Sequence, residues 1–324
     1  MNKNYISPLK EILAAGSMTQ SQLAERLEVT FAALNRWLHG HARPQPRRIV
    51  AIQKLHKELV GHPSVTHKHV QEAMGRAKRF KRRGLWALIA GHQALQEDLL
   101  LEHTYNSTSI EGTTFSKRQT EAVLFAKALI ADKTLVEHLE VINHAAVLKG
   151  IFQIKCAEPI TEAFIQNLHK DLMQGVRDDA GHYSKYPRAI RGVNIALTHP
   201  EDIAEKMANL IRSFRKKPVH KTIDDIADFH VQFEHIHPFG DGNGRIGRLL
   251  MAMQCLQENY PPVVIENARK ADYYDVLEYA QRKSNAPFVC FLAEEMERTA
   301  KIIRVHLVPG TKCTANRLNR PASA

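Results

Sequence analysis

The chain has 324 residues, 44% of them hydrophobic and 24% charged, as expected for a globular protein with two domains or one large one. It has no run of eighteen apolar residues, which argues against a membrane span. Its four cysteines have no CxxC spacing, which argues against a zinc site and a disulfide framework and favours the cytoplasm. Its net charge of +11 lies in residues 1–83, with 16 Lys and Arg against 5 Asp and Glu. This asymmetry favours a polyanionic partner, with a solvated basic surface as the alternative.

Residues 1–60 are predicted to form a small domain of short helices. Ser7 and Pro8 are typical of a helix start, and Thr19 is typical of the cap of the next helix. The four-residue connection "EVTF" leads into a third helix that ends at Gly40, and a fourth amphipathic helix follows. Two short helices joined by so tight a turn indicate a helix-turn-helix.

The segment "MTQSQLAERLEVTFAALNRWLHGHARP" resembles the Cro/repressor-like family of DNA-binding domains. The resemblance implies a role in DNA binding for Gln20, at the start of the supporting helix. It also implies that four residues face the major groove: Phe31, Ala32, Asn35 and Arg36. It also implies a homodimer, since such domains commonly read two half-sites. Glu28 departs from the family, which usually carries glycine at this turn position. A helical docking module without a DNA partner is the alternative.

The charged run "VQEAMGRAKRFKRRG" falls in residues 61–84, which are predicted to be a basic linker or connecting helix. This run either extends a DNA contact or is solvated. Residues 85–308 are predicted to form the second domain, and the basic tail at 309–324 is predicted to be disordered.

A long helix is predicted over "HQALQEDLLLEHTYNSTSIEG", at about residues 90–111. Leu95 and Leu99 recur at helical spacing, and Gly112 is a natural helix end. Ser107 and Glu111 lie four residues apart and therefore share a face. Taken alone, Glu111 is an ordinary carboxylate at a helix end.

Three further segments have interpretable patterns. The stretch "YPRAIRGVNIALTHP" is predicted to be extended, because its apolar residues partly alternate: Ile190, Val193, Ile195 and Leu197. The stretches "TIDDIADFHVQFEHI" and "RIGRLLMAMQCLQ" are predicted to be helices from their apolar spacing. The second of these helices has a stripe that should be buried: Ile246, Leu249, Leu250 and Met253.

Between those two helices lies the glycine-rich sequence "HPFGDGNGRIGR", residues 237–248. Its "GNGRIG" matches the dinucleotide fingerprint, but that motif requires a preceding strand and here follows a helix. A Walker loop is excluded because no Lys-Ser/Thr follows the glycines. His235 and His237 have no third ligand at the spacing of a zinc site, and His235 is therefore interpreted as structural.

The pattern that remains is an anion site at a helix N-terminus. Gly242, Asn243 and Gly244 open the helix, where unpaired backbone N–H groups and the helix dipole favour anions. Arg245 and Arg248 lie on one face, and two guanidinium groups at an anion site indicate more than one phosphate.

Two further side chains of the motif supply chemistry. Asp241 offers a hard oxygen ligand for Mg²⁺, and His237 offers a proton acceptor that works near neutral pH. Together with the anion site, they predict group transfer from a nucleotide to a hydroxyl.

The twelve residues match every defined position of the Fic-family motif, His-x-Phe-x-Asp/Glu-Gly-Asn-Gly-Arg-x-x-Arg, and the resemblance extends over roughly residues 90–300. It implies a mainly α fold: a Fic-type helical core with a small β-hairpin flap at "YPRAIRGVNIALTHP", preceded here by the helix-turn-helix domain. The flap would dock a target protein as an added strand. The implied reaction is the transfer of AMP from ATP to a Ser, Thr or Tyr hydroxyl of that target, with release of pyrophosphate.

The resemblance also implies individual roles. His237 would be the base and Asp241 would hold Mg²⁺, whereas the phosphates would be bound by Gly240, Gly242, Asn243, Gly244, Arg245 and Arg248. Glycine at position 244 favours AMP transfer, because the phosphorylating Doc-type relatives carry lysine there. Tyr273 and Tyr274 either border the adenine or are core residues.

The upstream sequence "STSIEG" fits Ser/Thr-x-x-x-Glu-Gly/Asn, the motif of self-inhibited Fic proteins with an N-terminal inhibitory helix. The resemblance implies inhibition by Ser107, Glu111 and Gly112. Glu111 would pair with Arg248 and so remove the charge partner of the γ-phosphate. Two alternatives remain: a DNA-binding regulator whose Fic module senses nucleotide, and de-AMPylation or another phosphate-linked transfer at the same site.

Overall fold

The computed structural model describes residues 5–16, 18–60, 65–154, 158–187, 197–217 and 220–307. The chain divides into two compact units, Met1–Thr66 and His67–Ala324. The described residues contain α-helices, two short 3-10 helices, turns and loops, and no β-strand.

The first unit is a four-helix domain. Its helices are α1 Ile6–Ala14, α2 Gln20–Arg26, α3 Phe31–Leu38 and α4 Pro46–Leu59. Thr19 caps α2 through a capping box with Gln22, as its position predicts. Helix α1 begins one residue before Ser7, with Tyr5 at the cap position. Apolar side chains of all four helices form the core of this unit, including Leu9, Leu23, Leu34, Trp37 and Ile52.

The turn between α2 and α3 has helix-turn-helix geometry despite its departure from glycine. Glu28 takes a left-handed conformation with φ 52°, which explains why glycine is favoured at this position. Arg48 stabilises the turn, because its Nη1 lies 3.1 Å from Glu28 Oε2 and its Nη2 donates to the Glu28 carbonyl at 3.2 Å. The acid is therefore paired within the domain.

The second unit holds the remaining helices. They are α5 His67–Arg79, α6 Leu85–Gly91, α7 Gln93–Glu111, α8 Lys117–Ala126, α9 Leu135–Gln153, α10 Glu162–Leu172, α11 Ile203–Lys216, α12 Ile223–Ile236, α13 Asn243–Gln257, α14 Lys270–Arg282 and α15 Ala286–Val305. Helix α5 packs on α15 through Ala73 and Ala77, so the basic segment belongs to this unit.

Helix α13 lies at the centre of the second unit. Nearly every residue from Asn243 to Leu256 is buried, which is the pattern of a helix enclosed on all sides. Leu249 and Leu250 enter one hydrophobic cluster, with α7, α9 and α10, whereas Met251 and Cys255 enter a second, with α14 and α15. Helix α13 is therefore packed between two hydrophobic clusters.

The predicted β-hairpin flap is not seen. Its sequence falls mostly on residues 188–196, which lie outside the described residues; Leu197, which is described, is in no strand. Among the helices that the structure describes, none combines the length and the apolar character needed to cross a membrane.

Candidate active site

The glycine-rich sequence forms a tight connection between α12 and α13. His237 ends α12 in a left-handed conformation with φ 51°, and Gly242 caps α13 with φ 77°. Helix α13 then begins at Asn243, as the sequence predicts. The turn thus presents the first backbone N–H groups of a buried helix next to a histidine side chain.

Two side chains brace this turn from inside. Asn243 Nδ2 donates to the Phe239 carbonyl and Asn243 Oδ1 accepts from the Phe239 N–H, both at 2.8 Å. The fully buried Phe239 ring stacks on His169 of α10, with the ring centroids 3.7 Å apart. Sequence reasoning missed His169, because nothing in its neighbourhood along the chain indicates this contact.

His169 has a fixed tautomer. Its Nδ1 accepts from the Gly181 N–H at 2.8 Å, so its Nε2 carries the hydrogen and donates to the Asp241 carbonyl at 3.0 Å. Burial lowers the pKa of His169 to about 4, and the ring therefore stays neutral at physiological pH. It holds the turn by hydrogen bonds and ring stacking.

Arg245 is buried beneath the turn. Its Nη1 lies 2.6 Å from Glu140 Oε1 of α9, and its Nη2 lies 3.4 Å from Asp241 Oδ2. Only 2% of the Arg245 side chain is exposed, so these two carboxylates balance a cation that is cut off from bulk water.

Arg248 is equally buried and binds the end of α7. Its Nε donates to Ser107 Oγ at 2.9 Å, and its Nη2 donates to the Ser107 carbonyl at 3.0 Å and to Glu111 Oε1 at 2.6 Å. Burial opposes the charge of Arg248, but Glu111, together with Tyr273 and Tyr274, more than offsets this and raises the pKa of Arg248 above its ordinary value. Helix α7 ends immediately afterwards at Gly112, with φ 109°.

Gly244 allows this approach. A Cβ at position 244 would collide with Glu111 Oε1 and would lie 2.9 Å from Arg248 Nη1. The glycine therefore brings the backbone of α13 against both partners of the ion pair.

A pocket opens at this point. It is lined by predicted site residues, namely Glu111, His237, Gly244, Arg248, Tyr273 and Tyr274. The other predicted residues of the motif build the turn: Gly240 lies against the Arg177–Asp179 ion pair and Gly242 lies against Met173. Tyr273 is buried, and its hydroxyl lies 2.9 Å from His230 Nε2.

The pocket contains residues that sequence reasoning did not identify. Glu234, Leu277 and Gln281 contribute to its walls. Glu234 stands one turn before His237 on α12, and this spacing is the one sequence signal that points to it. Leu277 and Gln281 follow the two tyrosines at helical spacing on α14.

The Asp241 carboxylate could bind a metal ion whose other ligands are phosphate oxygens and water. Among the described residues, no three His, Cys, Asp or Glu side chains converge on a cation position. The Asp241 side chain is 52% exposed at the mouth of the turn. Because Mg²⁺ typically binds one or two carboxylates together with phosphate oxygens and water, this donor set fits magnesium bound to nucleotide phosphates.

The predicted DNA-binding residues lie together on the first unit. Phe31, Ala32, Asn35 and Arg36 are exposed on one surface of α3, and Gln20 begins α2. Half of the Phe31 side-chain surface is exposed, although it is a large apolar residue.

Two family models match the chain. Residues 159–255, from α10 to α13, match the Fic/DOC family. The chain is a Fic-family protein. Residues 9–57 match a helix-turn-helix family, so the Fic domain follows a helix-turn-helix domain.

Relatives extend the Fic match beyond this segment. The chain is 33% identical over 221 residues to protein adenylyltransferase Fic of Culex quinquefasciatus, covering 66% of this chain and 43% of that protein. It is 31% identical over 233 residues to the protein of the same name from Nematostella vectensis, covering 68% and 53%. The chain thus spans about half the length of the curated relatives it matches.

Solved structures share the fold. A Fic-domain-containing signalling protein from Bacteroides thetaiotaomicron superposes with a TM-score of 0.60 at 24% identity, covering 72% of this chain and 95% of that one. A fragment of Fic-1 from C. elegans superposes with a TM-score of 0.64 at 18% identity, covering 94% and 99%.

Proposed function

We propose that the pocket at the start of α13 transfers AMP from Mg·ATP to a Ser, Thr or Tyr hydroxyl of a target protein, itself included. The observation that carries the proposal is the convergence of His237 and Arg248 on one pocket at a helix N-terminus. The relatives named protein adenylyltransferase support the same reaction.

In this reaction the target hydroxyl oxygen attacks the α-phosphorus of ATP and the bond to the β-phosphate breaks. His237 takes the hydroxyl proton, and pyrophosphate leaves with the electron pair of the broken bond. Asp241 would hold Mg²⁺, which neutralises phosphate charge when bound. The N–H groups at Gly242 to Gly244 would hold phosphate oxygens, the buried Arg245 would add positive charge beneath them, and Tyr273 and Tyr274 would border the base.

We propose further that the enzyme inhibits itself. The Arg248 guanidinium that would bind the γ-phosphate is paired with Glu111 at 2.6 Å, and Ser107 accepts two more of its hydrogen bonds. A triphosphate must displace Glu111 to gain this cation. Inhibition at this site therefore acts on productive ATP binding.

The test uses ATP labelled at either the α- or the γ-phosphate, with the Glu111→Gly chain in cell extract. Protein labelling from the α-label alone is expected, and His237→Ala in the same background should abolish it. Labelling from the γ-label alone would instead establish phosphorylation. Labelling that persists in His237→Ala would contradict the assigned base.

We propose as a second function that the first unit binds DNA. We also propose that the protein is located in the cytoplasm. The exposed surface of α3 supports DNA binding, as does the positive charge of residues 1–66, which hold 9 Lys and Arg against 4 Asp and Glu. Recognition of two half-sites would require a homodimer.

The DNA proposal is tested by titrating a pool of duplex DNA with the full chain at several salt concentrations. Arg36→Ala should weaken binding to the selected sequence at least fivefold, or about 1 kcal/mol, as expected for one lost base contact. Lys301→Ala, the same charge change at an exposed site of the second unit, serves as control. Equal effects of the two variants would refute a DNA-reading surface on α3. Specific DNA binding combined with no AMP transfer in Glu111→Gly would identify a nucleotide-sensing regulator.

A further inference from the structure

Glu234 is a buried carboxyl in the active-site pocket with no role in the proposed reaction. Only 4% of its surface is exposed, and its Oε2 lies 3.8 Å from Nδ1 of His237. Its Oε1 makes no hydrogen bond to any described residue. An unsatisfied buried carboxyl oxygen is costly, so its retention beside the base calls for a functional explanation.

The absence of a side chain at Gly247 leaves space for the Glu234 carboxyl. A Cβ at Gly247 would lie 2.5 Å from Glu234 Oε1 and 3.0 Å from His230 Cε1. Position 247 is one that the Fic motif leaves open, so the motif itself does not require glycine there. The carboxyl on α12 and the missing side chain on α13 therefore fit each other.

Charged and titratable groups surround Glu234 from three other helices and its own. They are Arg248 on α13, Glu111 on α7, Tyr273 and Tyr274 on α14, and His230 and His237 on α12. Burial raises the pKa of Glu234 to about 8; Arg248 lowers it and Glu111 raises it. At neutral pH the protonated form of Glu234 is therefore favoured in this structure.

The chemistry of the base requires a partner at this place. A neutral imidazole that accepts a proton on Nε2 carries its own hydrogen on Nδ1. A carboxylate facing Nδ1 favours this tautomer and stabilises the imidazolium that forms after proton transfer. A protonated carboxyl cannot supply that charge.

We propose that Glu234 is the positioning residue for His237; this inference rests on the proposed AMP transfer. Ionised Glu234 accepts the Nδ1 hydrogen, and His237 Nε2 takes the proton of the target hydroxyl. The imidazolium later returns that proton to solvent.

The decisive comparison is Glu111→Gly against Glu111→Gly/Glu234→Gln, with α-labelled ATP from pH 6 to pH 9. Gln keeps the size of the side chain but cannot ionise. We expect kcat of the single variant to rise with pH, because both Glu234 and the general base His237 must lose a proton before they can act. The Gln variant should keep only the part of this rise that His237 gives, and it should have at least tenfold lower kcat at high pH, with the same KM for ATP.

A second measurement requires no turnover. The ring ¹⁵N shifts of His237 report its tautomer, and Glu111→Gly should show the Nδ1–H form at high pH, whereas its Glu234→Gln derivative should lose that preference. Matching pH profiles and matching tautomers in the two proteins would overturn the role of Glu234. Absence of α-label transfer by Glu111→Gly would instead overturn the proposed function, and the positioning role with it. If Glu234→Gln fails to fold, the pH titration of His237 in Glu111→Gly decides, and a single ionisation there contradicts the proposal.

Discussion

At the scale of single residues, the behaviour of this protein depends on the Arg248 guanidinium. It is 2% exposed, and a buried cation without a counter-charge is strongly unfavourable. Glu111 supplies that charge at 2.6 Å, and its side chain remains 29% exposed, so it has a route out of the pocket. The same cation is where a triphosphate would bring its terminal charge. In the proposed mechanism, this one residue therefore couples nucleotide binding to the end of α7.

Nucleotide binding should become visible when Glu111 is removed. Glu111→Gly leaves Arg248 without a carboxylate partner, so the melting temperature should fall and Mg·ATP should restore it by several degrees. At one hundred times Kd, a ligand adds about 2.7 kcal/mol to the free energy of unfolding. The intact chain should gain less than one degree at the same concentration.

The matched control is Glu278→Ala. Glu278 lines the same pocket but pairs with Arg282 at 3.0 Å. It should respond to Mg·ATP like the intact chain. Equal ATP stabilisation of the intact chain and Glu111→Gly would contradict competition at Arg248.

At the scale of elements, α12, the glycine-rich turn and α13 form the site, and α10 holds the turn from below. His169 contributes ring stacking on Phe239 and a hydrogen bond to the Asp241 carbonyl. We expect His169→Ala to lower the ATP affinity of Glu111→Gly at least tenfold, because the turn that carries Asp241 loses its support. Calorimetric titration with Mg·ATP measures this.

His182→Ala provides the control for that prediction, since His182 is exposed and lies near the same backbone. It should bind ATP like its parent. Unchanged affinity in His169→Ala would show that Asn243 alone suffices to hold the turn, through its two hydrogen bonds to Phe239.

The sequence predicts these elements well where the cause is local. The apolar spacing predicts α12 and α13, Thr19 caps α2 and Gly112 ends α7, all as observed. The contact of Glu111 with Arg248 joins residues 137 apart, and only the family resemblance predicts it. His169, Glu140 and Glu234 were missed because their roles depend on tertiary contacts: an ordinary residue acquires a function from what lies across from it.

At the scale of the whole molecule, the second unit encloses several neutral histidines. Burial lowers the pKa of His103 to about 4, of His230 to about 3 and of His169 to about 4. The positive charge of Arg248 also lowers the pKa of His103 and of His230. Each binds a proton more readily in the unfolded chain, where its pKa is near 6.5.

The second unit should therefore lose stability in acid. Between pH 6.5 and about 4 the unfolded state binds more protons, so the free energy of unfolding falls as pH falls, by up to about 1.4 kcal/mol per pH unit for each histidine. Glu234 acts in the opposite direction, because its raised pKa favours the folded state as pH falls from 8 to about 4.5. Three histidines outweigh one carboxyl.

The unfolding of the second unit can be measured separately from that of the first by tryptophan fluorescence. Its two tryptophans lie in different units, and the buried Trp86 of the second donates to the Phe152 carbonyl at 3.0 Å. Urea unfolding followed by Trp86 fluorescence in Trp37→Phe should give a lower free energy of unfolding at pH 5 than at pH 7. His103→Asn should reduce that difference and the exposed His182→Gln should not. Equal free energies of unfolding at the two pH values would contradict the claim that these buried histidines are neutral in the folded protein.

The central claim is that the pocket transfers AMP and that Glu111 restrains it. The most direct measurement is the initial rate of protein labelling from α-labelled ATP by the intact chain, Glu111→Gly and Glu278→Ala, each with and without His237→Ala. We predict at least a tenfold increase in Glu111→Gly alone, no increase in Glu278→Ala, and no labelling wherever His237 is replaced. Equal rates in the intact chain and Glu111→Gly, or labelling that survives the loss of His237, would contradict the account.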